Sequence, residues 1–207
     1  NGSRAEASFI RASGSTATFA SGSTFTLASG ATNCVALTEC VMLDASAVTP
    51  PTSASCERKT TQGTNFPYQT CAFDTGTTEE AAYWSFELPT NLSGTTATVY
   101  FTWLSNNAAC NGDAPDTNDD VCWAIDGDSF ADNAAFHTGS LGGTDKAVTD
   151  RCRTNGALMK SASLTFTHSM VAGERAVVKV WRDTDGSTSG CSGTGDDDYA
   201  QDAELLG

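Results

Sequence analysis

Residues 83–103 read YWSFELPTNLSGTTATVYFTW, and this stretch decides the fold class. Its first half places Trp84 and Phe86 on one face of an extended chain, with polar side chains between them. That period of two is typical of a β-strand with one buried face. Pro89 then ends the strand, because proline lacks the N–H group that a strand ladder needs. Residues 95–103 repeat the period, so the stretch predicts two strands joined by a turn.

The same period of two occurs further along the chain, at residues 121–125 (VCWAI), 162–166 (ASLTF) and 175–181 (RAVVKVW). Glycine, asparagine and aspartate turn signals separate these segments, and no long segment shows the helical period of about 3.6 residues. The sequence therefore predicts an all-β chain, specifically a jelly-roll-type antiparallel β-sandwich. The inward faces are expected to bring together Trp84, Phe86, Trp103, Trp123 and Ile125.

Four segments, in order along the chain, carry a resemblance to a known kind of protein. They are AFDTGTTEEAAYWSFELPTNLSGTTATVYFTW (72–103), VCWAI (121–125), ERAVVKVWRD (174–183) and DAELLG (202–207). Together they resemble a module of tailed-phage virion proteins, of the tail-fibre, baseplate or capsid-decoration type, and of related environmental sequences. The resemblance covers residues 73–207 and implies a β-sandwich that serves in a virion without an assigned catalytic activity.

Residues 12–35 form three tandem octads, ASGSTATF, ASGSTFTL and ASGATNCV, which contain no charged side chain. Threonine alternates with small or apolar residues, and each octad restarts at a Ser-Gly pair. Three interpretations stay open: a β-stem or solenoid shared between chains, a strand that adds to a neighbouring copy's sheet, and a linker or internal hairpin. The first two make the octads an assembly element, in which Phe19, Phe25 and Leu27 contact the partner copy.

Eight cysteines at wide spacings indicate disulfides rather than a zinc site, since only two histidines accompany them. Pairing of sequence neighbours predicts the bridges Cys34–Cys40, Cys56–Cys71, Cys110–Cys122 and Cys152–Cys191. We accordingly expect three regions: the octad β-repeat at 1–35, a disulfide-stapled connecting region at 36–72 and the sandwich domain at 73–207. Disulfides persist in oxidising compartments, so the expected location is extracellular, on a cell surface or on a virion surface.

The formal net charge is −14, from 25 acidic and 11 basic residues. This balance disfavours nucleic acid as a partner, and no apolar run is long enough for membrane insertion. Acidic residues concentrate at 111–120 and 196–198, where they either keep a surface soluble or bind calcium. No cofactor is expected apart from calcium, for which the candidate ligands are Asp113, Asp116, Asp183 and Asp185.

Signs of catalysis are few. The two histidines, His137 and His168, each fit a surface or structural position. The chain has no G-x-S-x-G, H-E-x-x-H or phosphate-binding glycine motif. Asp126 and Asp128 (IDGD) offer a carboxylate pair of the kind that hydrolyses glycosidic bonds, but aspartates around a glycine are more often part of a turn. We therefore expect that the protein is not an enzyme.

Tyr83, Tyr100 and Trp181 lie opposite the main apolar faces, where they can stack on sugar rings or pack beneath a loop. The sequence favours a non-enzymatic structural subunit that self-assembles into an extracellular or virion-exposed appendage, such as a fibre, a filament or a decoration. The alternative is a carbohydrate-binding or adhesion module for a host or cell surface. The expected partners are copies of the chain itself and, under the alternative, surface glycans.

Overall fold

The structure is a computed structural model that describes residues 41–76, 78–105, 110, 119–136, 141–154, 156–191 and 197–207. All of these residues belong to one compact unit, Glu39–Gly207. The octads, Cys34, Cys40 and His137 lie outside the described residues, as do the calcium candidates Asp113 and Asp116.

The described residues form one short 3-10 helix, Ala45–Ala47, and eleven β-strands. The strands are β1 (Glu57–Gln62), β2 (Pro67–Phe73), β3 (Ala81–Glu87), β4 (Thr96–Val99), β5 (Thr102–Ser105), β6 (Asp120–Phe130), β7 (Lys146–Arg151), β8 (Leu158–Lys160), β9 (Leu164–Thr167), β10 (Arg175–Arg182) and β11 (Ala203–Leu205). No helix in this described part of the chain is long and apolar enough to cross a membrane.

Two main sheets enclose the core. A five-stranded sheet has the order β1-β2-β11-β5-β8, and a four-stranded sheet has the order β3-β10-β6-β7. Strands β4 and β9 form a two-stranded sheet, and every strand pair is antiparallel. The predicted all-β, antiparallel sandwich class is thus confirmed. Because β1 and β2 belong to the five-stranded sheet, the sandwich reaches back to Glu57, earlier than the boundary expected at Phe73.

The stretch 95–103, expected as one strand, is divided into β4 and β5 by a bend at Tyr100 and Phe101. At the bend the Phe101 N–H donates to the Ser161 hydroxyl at 2.9 Å, and the Ser161 N–H donates to the Phe101 carbonyl at 2.9 Å. Ser161, which lies between β8 and β9 in the chain, thus places its side chain between the β5–β8 and β4–β9 strand pairs. The period of two survives the bend, because Phe101 and Trp103 are both buried.

Trp123, at the inward face of β6, is the centre of the core and is fully buried. The Phe73, Phe101 and Trp103 rings lie 5.4, 5.9 and 6.1 Å from it, measured between ring centroids. The expected core is confirmed: Trp84, Trp103, Trp123 and Ile125 belong to one buried cluster, and Phe86 packs against its edge.

Replacement of Trp123 by Ala should lower the free energy of unfolding by about 3–5 kcal/mol, because the rings of Phe73, Phe101 and Trp103 would then border a cavity. Equilibrium denaturation of the oxidised protein measures this loss. A variant with the wild-type midpoint and slope would contradict the central position of Trp123.

Three disulfides staple the described residues: Cys56–Cys71, Cys110–Cys152 and Cys122–Cys191. The first was predicted, but the expected pairs Cys110–Cys122 and Cys152–Cys191 are wrong. The physical reason is the face on which each sulfur lies. Cys110 and Cys152 belong to the cluster between the sheets, whereas Cys122 and Cys191 belong to a second cluster on the outer face of the four-stranded sheet. Three bridges indicate an oxidising, extracellular environment.

Removing the Cys122–Cys191 bridge by double serine substitution should destabilise the protein more than removing Cys56–Cys71 in the same way. The first closes a loop of 69 residues and the second a loop of 15 residues, so the unfolded chain gains more freedom in the first case. The expected difference is roughly 1 kcal/mol. Denaturant titrations measure it, and non-reducing peptide mapping must first recover the Cys110–Cys152 link.

Candidate functional site

The loop that follows β10, residues 183–188 (DTDGST), is organised by two aspartates. Asp183 is fully buried and accepts hydrogen bonds from the N–H groups of Ser187 at 3.1 Å and Thr188 at 2.7 Å. Asp185 accepts from the same Ser187 N–H at 2.9 Å. Such side-chain caps on backbone N–H groups are what makes Asp common in tight loops. The loop is therefore rigidly held by its own carboxylates.

Glu79 joins these two aspartates from the segment before β3. Strands β3 and β10 pair with Ala81 opposite Trp181, so the residues before β3 and after β10 meet at one end of the sheet. One carboxylate oxygen each from Glu79, Asp183 and Asp185 lie within 4.8 Å of one another. We call these three residues the acidic triad. Its two aspartates were predicted from the sequence as candidate calcium ligands, but Glu79 was not.

The surroundings of Glu79 and Asp183 shift the pKa values of the two carboxyls in opposite directions. Burial raises the pKa of Glu79 to about 7, and the hydrogen bond with Asp183 adds to the effect. Burial opposes ionisation of Asp183 as well, but the hydrogen bonds from Thr188 outweigh it and lower the pKa of that carboxyl. Below about pH 7, protonation of Glu79 is therefore favoured next to an Asp183 carboxyl that stays ionised. Glu79 Oε1 is buried and has no hydrogen-bond partner among the described residues.

Three clustered carboxylates can also hold a hard cation such as calcium, which binds oxygen ligands. A second group of potential ligands, Cys122, Asp183 and Cys191, cannot act in this way, because its two sulfurs form a disulfide. The acidic triad is thus the part of the described chain where the calcium expectation has a geometric counterpart.

Replacement of Glu79 by Gln should stabilise the protein increasingly as the pH rises. In the folded state the pKa of Glu79 is about 7, against an ordinary value of 4.5, so protonated Glu79 stabilises the fold at low pH. The wild type therefore loses that stability as the pH rises from 4.5 to 7. Glutamine stays neutral throughout. Thermal unfolding at about pH 5 and about pH 8, with EDTA present, should show a larger gain at the higher pH.

Glu57→Gln, at an exposed glutamate, is the control for that comparison. An E79Q gain that is equal at both pH values would show that Glu79 has the same protonation state in the folded and unfolded chain.

Asp126 and Asp128, the expected carboxylate pair, lie within β6, so the turn interpretation of IDGD is wrong. A glycine loop packs against both side chains. The Gly142 N–H donates to Asp128 Oδ2 at 3.2 Å, and a Cβ atom on Gly143 would lie 2.3 Å from Asp126 Oδ1. Burial raises the pKa of Asp126. The hydrogen bond to Asp128 thus anchors the loop to β6, and Asp126 lies in close contact with it.

The three aromatic residues expected to bind sugars do not form a common platform. Trp181 is only 3% exposed, and the Lys179 ammonium lies 4.0 Å from its ring centroid, so this indole is packed, which was one of the two positions considered for it. Tyr83 is half-buried beside Trp181. Tyr100 is 39% exposed but lies at the β4–β5 bend, with the Lys160 ammonium 4.0 Å from its ring centroid. Tyr100 alone keeps an exposed ring.

The acidic residues at 197–198 form hydrogen bonds within the fold. Arg182, 1% exposed, donates to the Asp197 carboxylate and to the carbonyl oxygens of Phe73, Tyr199 and Gln201. We call this arrangement the Arg182 clamp. Asp197 is also buried, which contradicts the expectation that this tract simply coats the surface. No sequence pattern indicates the clamp, because an Arg at a strand end normally reaches solvent.

His168 is 7% exposed, and its Nδ1 accepts from the Met170 N–H at 3.2 Å. Burial lowers the pKa of His168, so the ring is neutral near neutral pH. This is the structural role expected for it.

An open groove of about 420 Å³ lies at the far end of the four-stranded sheet. Phe130 and Phe136 form its apolar wall, with their ring centroids 5.0 Å apart, and the Arg175–Glu87 ion pair forms its rim. Its lining also contains the carboxylates of Asp132 and Glu174, and Glu174 accepts a hydrogen bond from the Ser129 hydroxyl.

Comparison with known proteins gives little. No family model and no curated protein matches the chain. Among solved structures, an arabinose-bound MgGH51 α-L-arabinofuranosidase aligns with 77% of this chain and 22% of its own, at 8% identity and a TM-score of 0.43. The chain thus spans about a fifth of that protein, and a likeness of this size carries no functional argument.

Proposed function

We propose that the chain is a non-enzymatic structural subunit that self-assembles into an extracellular appendage, such as a fibre, a filament or a surface decoration. One observation supports this above the others. The polar side chains that the sequence offered as sites are used to hold the fold together.

Two of the arginine-linked carboxylates illustrate that use. Asp197 is neutralised in the Arg182 clamp, and Asp120 receives two hydrogen bonds from Arg151, at 2.8 and 2.9 Å. Asp128 accepts a hydrogen bond from the Gly142 N–H, and Asp126 accepts one from the N–H of Gly127 within β6. A carboxylate that is saturated by structural hydrogen bonds is poorly placed to act as a general acid or base on a substrate. The arrangement therefore favours a rigid building block over a catalyst.

Disulfides on both faces of the four-stranded sheet support the same conclusion. Cys110–Cys152 links loops in the main core, while Cys122–Cys191 closes the outer cluster around Trp181. Disulfide bridges restrict the unfolded chain and slow irreversible unfolding in harsh surroundings outside the cell. The octads at 12–35 then supply the assembly element of this stapled block.

Deleting residues 1–30 should leave the sandwich folded and abolish assembly, because the deletion removes two octads and leaves every strand of Glu39–Gly207 in place. Circular dichroism and static light scattering of the truncated and full-length chains test this at matched concentration. If the truncated chain assembles at the same concentration as the full-length chain, the octads act as a linker.

Phe25→Asp in the full-length chain should weaken assembly in the same assay, because a carboxylate would be buried without a partner. Phe66→Asp provides a matched control, since Phe66 is 67% exposed in the β1–β2 turn and its substitution adds the same charge at an exposed aromatic residue. Equal effects of the two variants would point to charge alone.

The second candidate, a carbohydrate-binding or adhesion module, is supported by Tyr100, whose ring is 39% exposed. A monomeric chain that is retained on a glycan array, and that loses retention on Tyr100→Ala, would favour it. Electron micrographs of native material would separate a virion appendage, which the phage-module resemblance implies, from a cellular filament.

A further inference from the structure

The two side margins of the sandwich differ in how they are protected. On the β1–β3 side, the segment before β1 covers the edge of β3: Thr49 and Tyr83 exchange backbone hydrogen bonds of 2.8 and 3.2 Å, and the Ala81 N–H donates to Ala54 at 2.9 Å. Strand β1 itself begins with three charged residues, Glu-Arg-Lys. Charged edge strands disfavour pairing with another chain.

On the opposite side, β8 and β9 follow one another along the margin. Strand β8 is the last strand of the five-stranded sheet, and β9 pairs with β4 alone among the described strands. Residues 158–167 contain a single charged side chain, Lys160. We call this edge the β8–β9 margin.

The backbone direction in β9 follows from its ladder with β4. The His168 N–H donates to the Thr95 carbonyl at 2.8 Å, so His168 faces β4. In an antiparallel pair the bonded residues alternate, and the residues between them turn their N–H and C=O groups the other way. Thr165 and Thr167 therefore present these groups to the side of β9 on which no described strand pairs with it, and both residues are exposed.

The core is incompletely covered at the same place. Val148 on β7, Ala157 before β8 and Leu164 on β9 are only partly buried and pack against the main cluster. A strand added to β9 would bring every second side chain over this apolar border, because side chains alternate between the two faces of a sheet.

We propose that the β8–β9 margin of one copy receives an octad of a second copy as an added strand. The octads are uncharged, which suits an edge with one charge. Octad 20–27 (ASGSTFTL) has the same alternation of Thr with large apolar residues as 162–169 (ASLTFTHS). One octad spans about 26 Å when extended, which fits the ten-residue margin.

In this arrangement Thr24 and Thr26 face solvent, as Thr165 does, while Phe25 and Leu27 cover the apolar border. Backbone hydrogen bonds give the affinity, and the apolar side chains fix the register. The inference rests on the proposed self-assembly and names the surface that accepts the octads.

Thr165→Pro in the full-length chain tests the acceptor edge. Proline removes the outward N–H of residue 165 and leaves the hydrogen bonds to β4 intact, so folding should be preserved. The concentration at which assembly is half complete should rise about tenfold or more, since a ladder bond is lost and the proline ring blocks close approach.

Thr60→Pro is the matched control on the opposite margin. The Cys56 N–H donates to Ala81, away from β2, so by alternation Thr60 also points its N–H outward from an exposed edge. T60P should assemble like wild type. If T165P assembles like wild type while the full chain still requires its octads, the β8–β9 margin is not the acceptor, although the proposed function stands. If the full chain does not assemble, both fail.

A photocrosslinking amino acid at position 165 provides a test that does not depend on a proline. In a mixture of ¹⁴N-labelled and ¹⁵N-labelled full-length chains, mass spectrometry should find mixed-isotope crosslinks from position 165 to residues 12–35. The same probe at position 60 should give none. Crosslinks that fall only within one chain, or only on other residues, would overturn the proposal even if T165P had failed to fold.

Discussion

The Arg182 clamp is the interaction on which the rest of the fold depends. Burying a guanidinium costs several kcal/mol, and this cost is offset only when the charge is paired and its donors are satisfied. Here Asp197 supplies the opposite charge, and three backbone carbonyls take the remaining donors. Two of those carbonyls belong to Tyr199 and Gln201, just before β11. The clamp thus positions the segment that leads into β11, the strand that lies between β2 and β5 in the sheet.

The geometry of the core follows from that placement. Leu205 pairs with Cys71 on one side and Trp103 on the other, and all three are buried. Tyr199, held against the arginine, packs its ring 6.1 Å from the Trp103 ring and shares a hydrogen bond with Ser105. The charged clamp and the aromatic core are therefore adjacent parts of one arrangement, and loss of the clamp would loosen the packing between the sheets.

Sequence period predicts the part of this fold in which one face is buried and the other is polar. Strands β3 and β10 largely follow that rule, as the core residue Trp84 shows. In β6 the large inward residues, such as Trp123, still alternate with small ones, but the small residues Cys122 and Ala124 on the other face are buried as well. The rule fails where a side chain replaces a backbone partner, as Ser161 does at the β4–β5 bend. It also fails for β2, whose last four residues are buried on both faces and so show no alternation.

Disulfide pairing and the acidic triad were beyond local sequence for a different reason. Cys110 and Cys122 are near in sequence but lie on opposite faces of a sheet, and a face is defined only once the strand register is known. Glu79 and Asp183 are far apart in sequence and meet through the β3–β10 pairing. The Glu-Glu pair at 79–80 marks the position without indicating its partner.

The position of β11 in the sheet has a consequence for biogenesis. This strand lies between β2 and β5, yet it follows all other described strands in the chain, more than a hundred residues after β2. A chain that leaves a ribosome or an export channel from its N-terminus keeps a gap in the five-stranded sheet until residue 205 has emerged. Pairing over such long sequence distances is slow, because the intervening loop must be closed first. The five-stranded sheet can therefore close only once Ala203–Leu205 is available to pair with both β2 and β5.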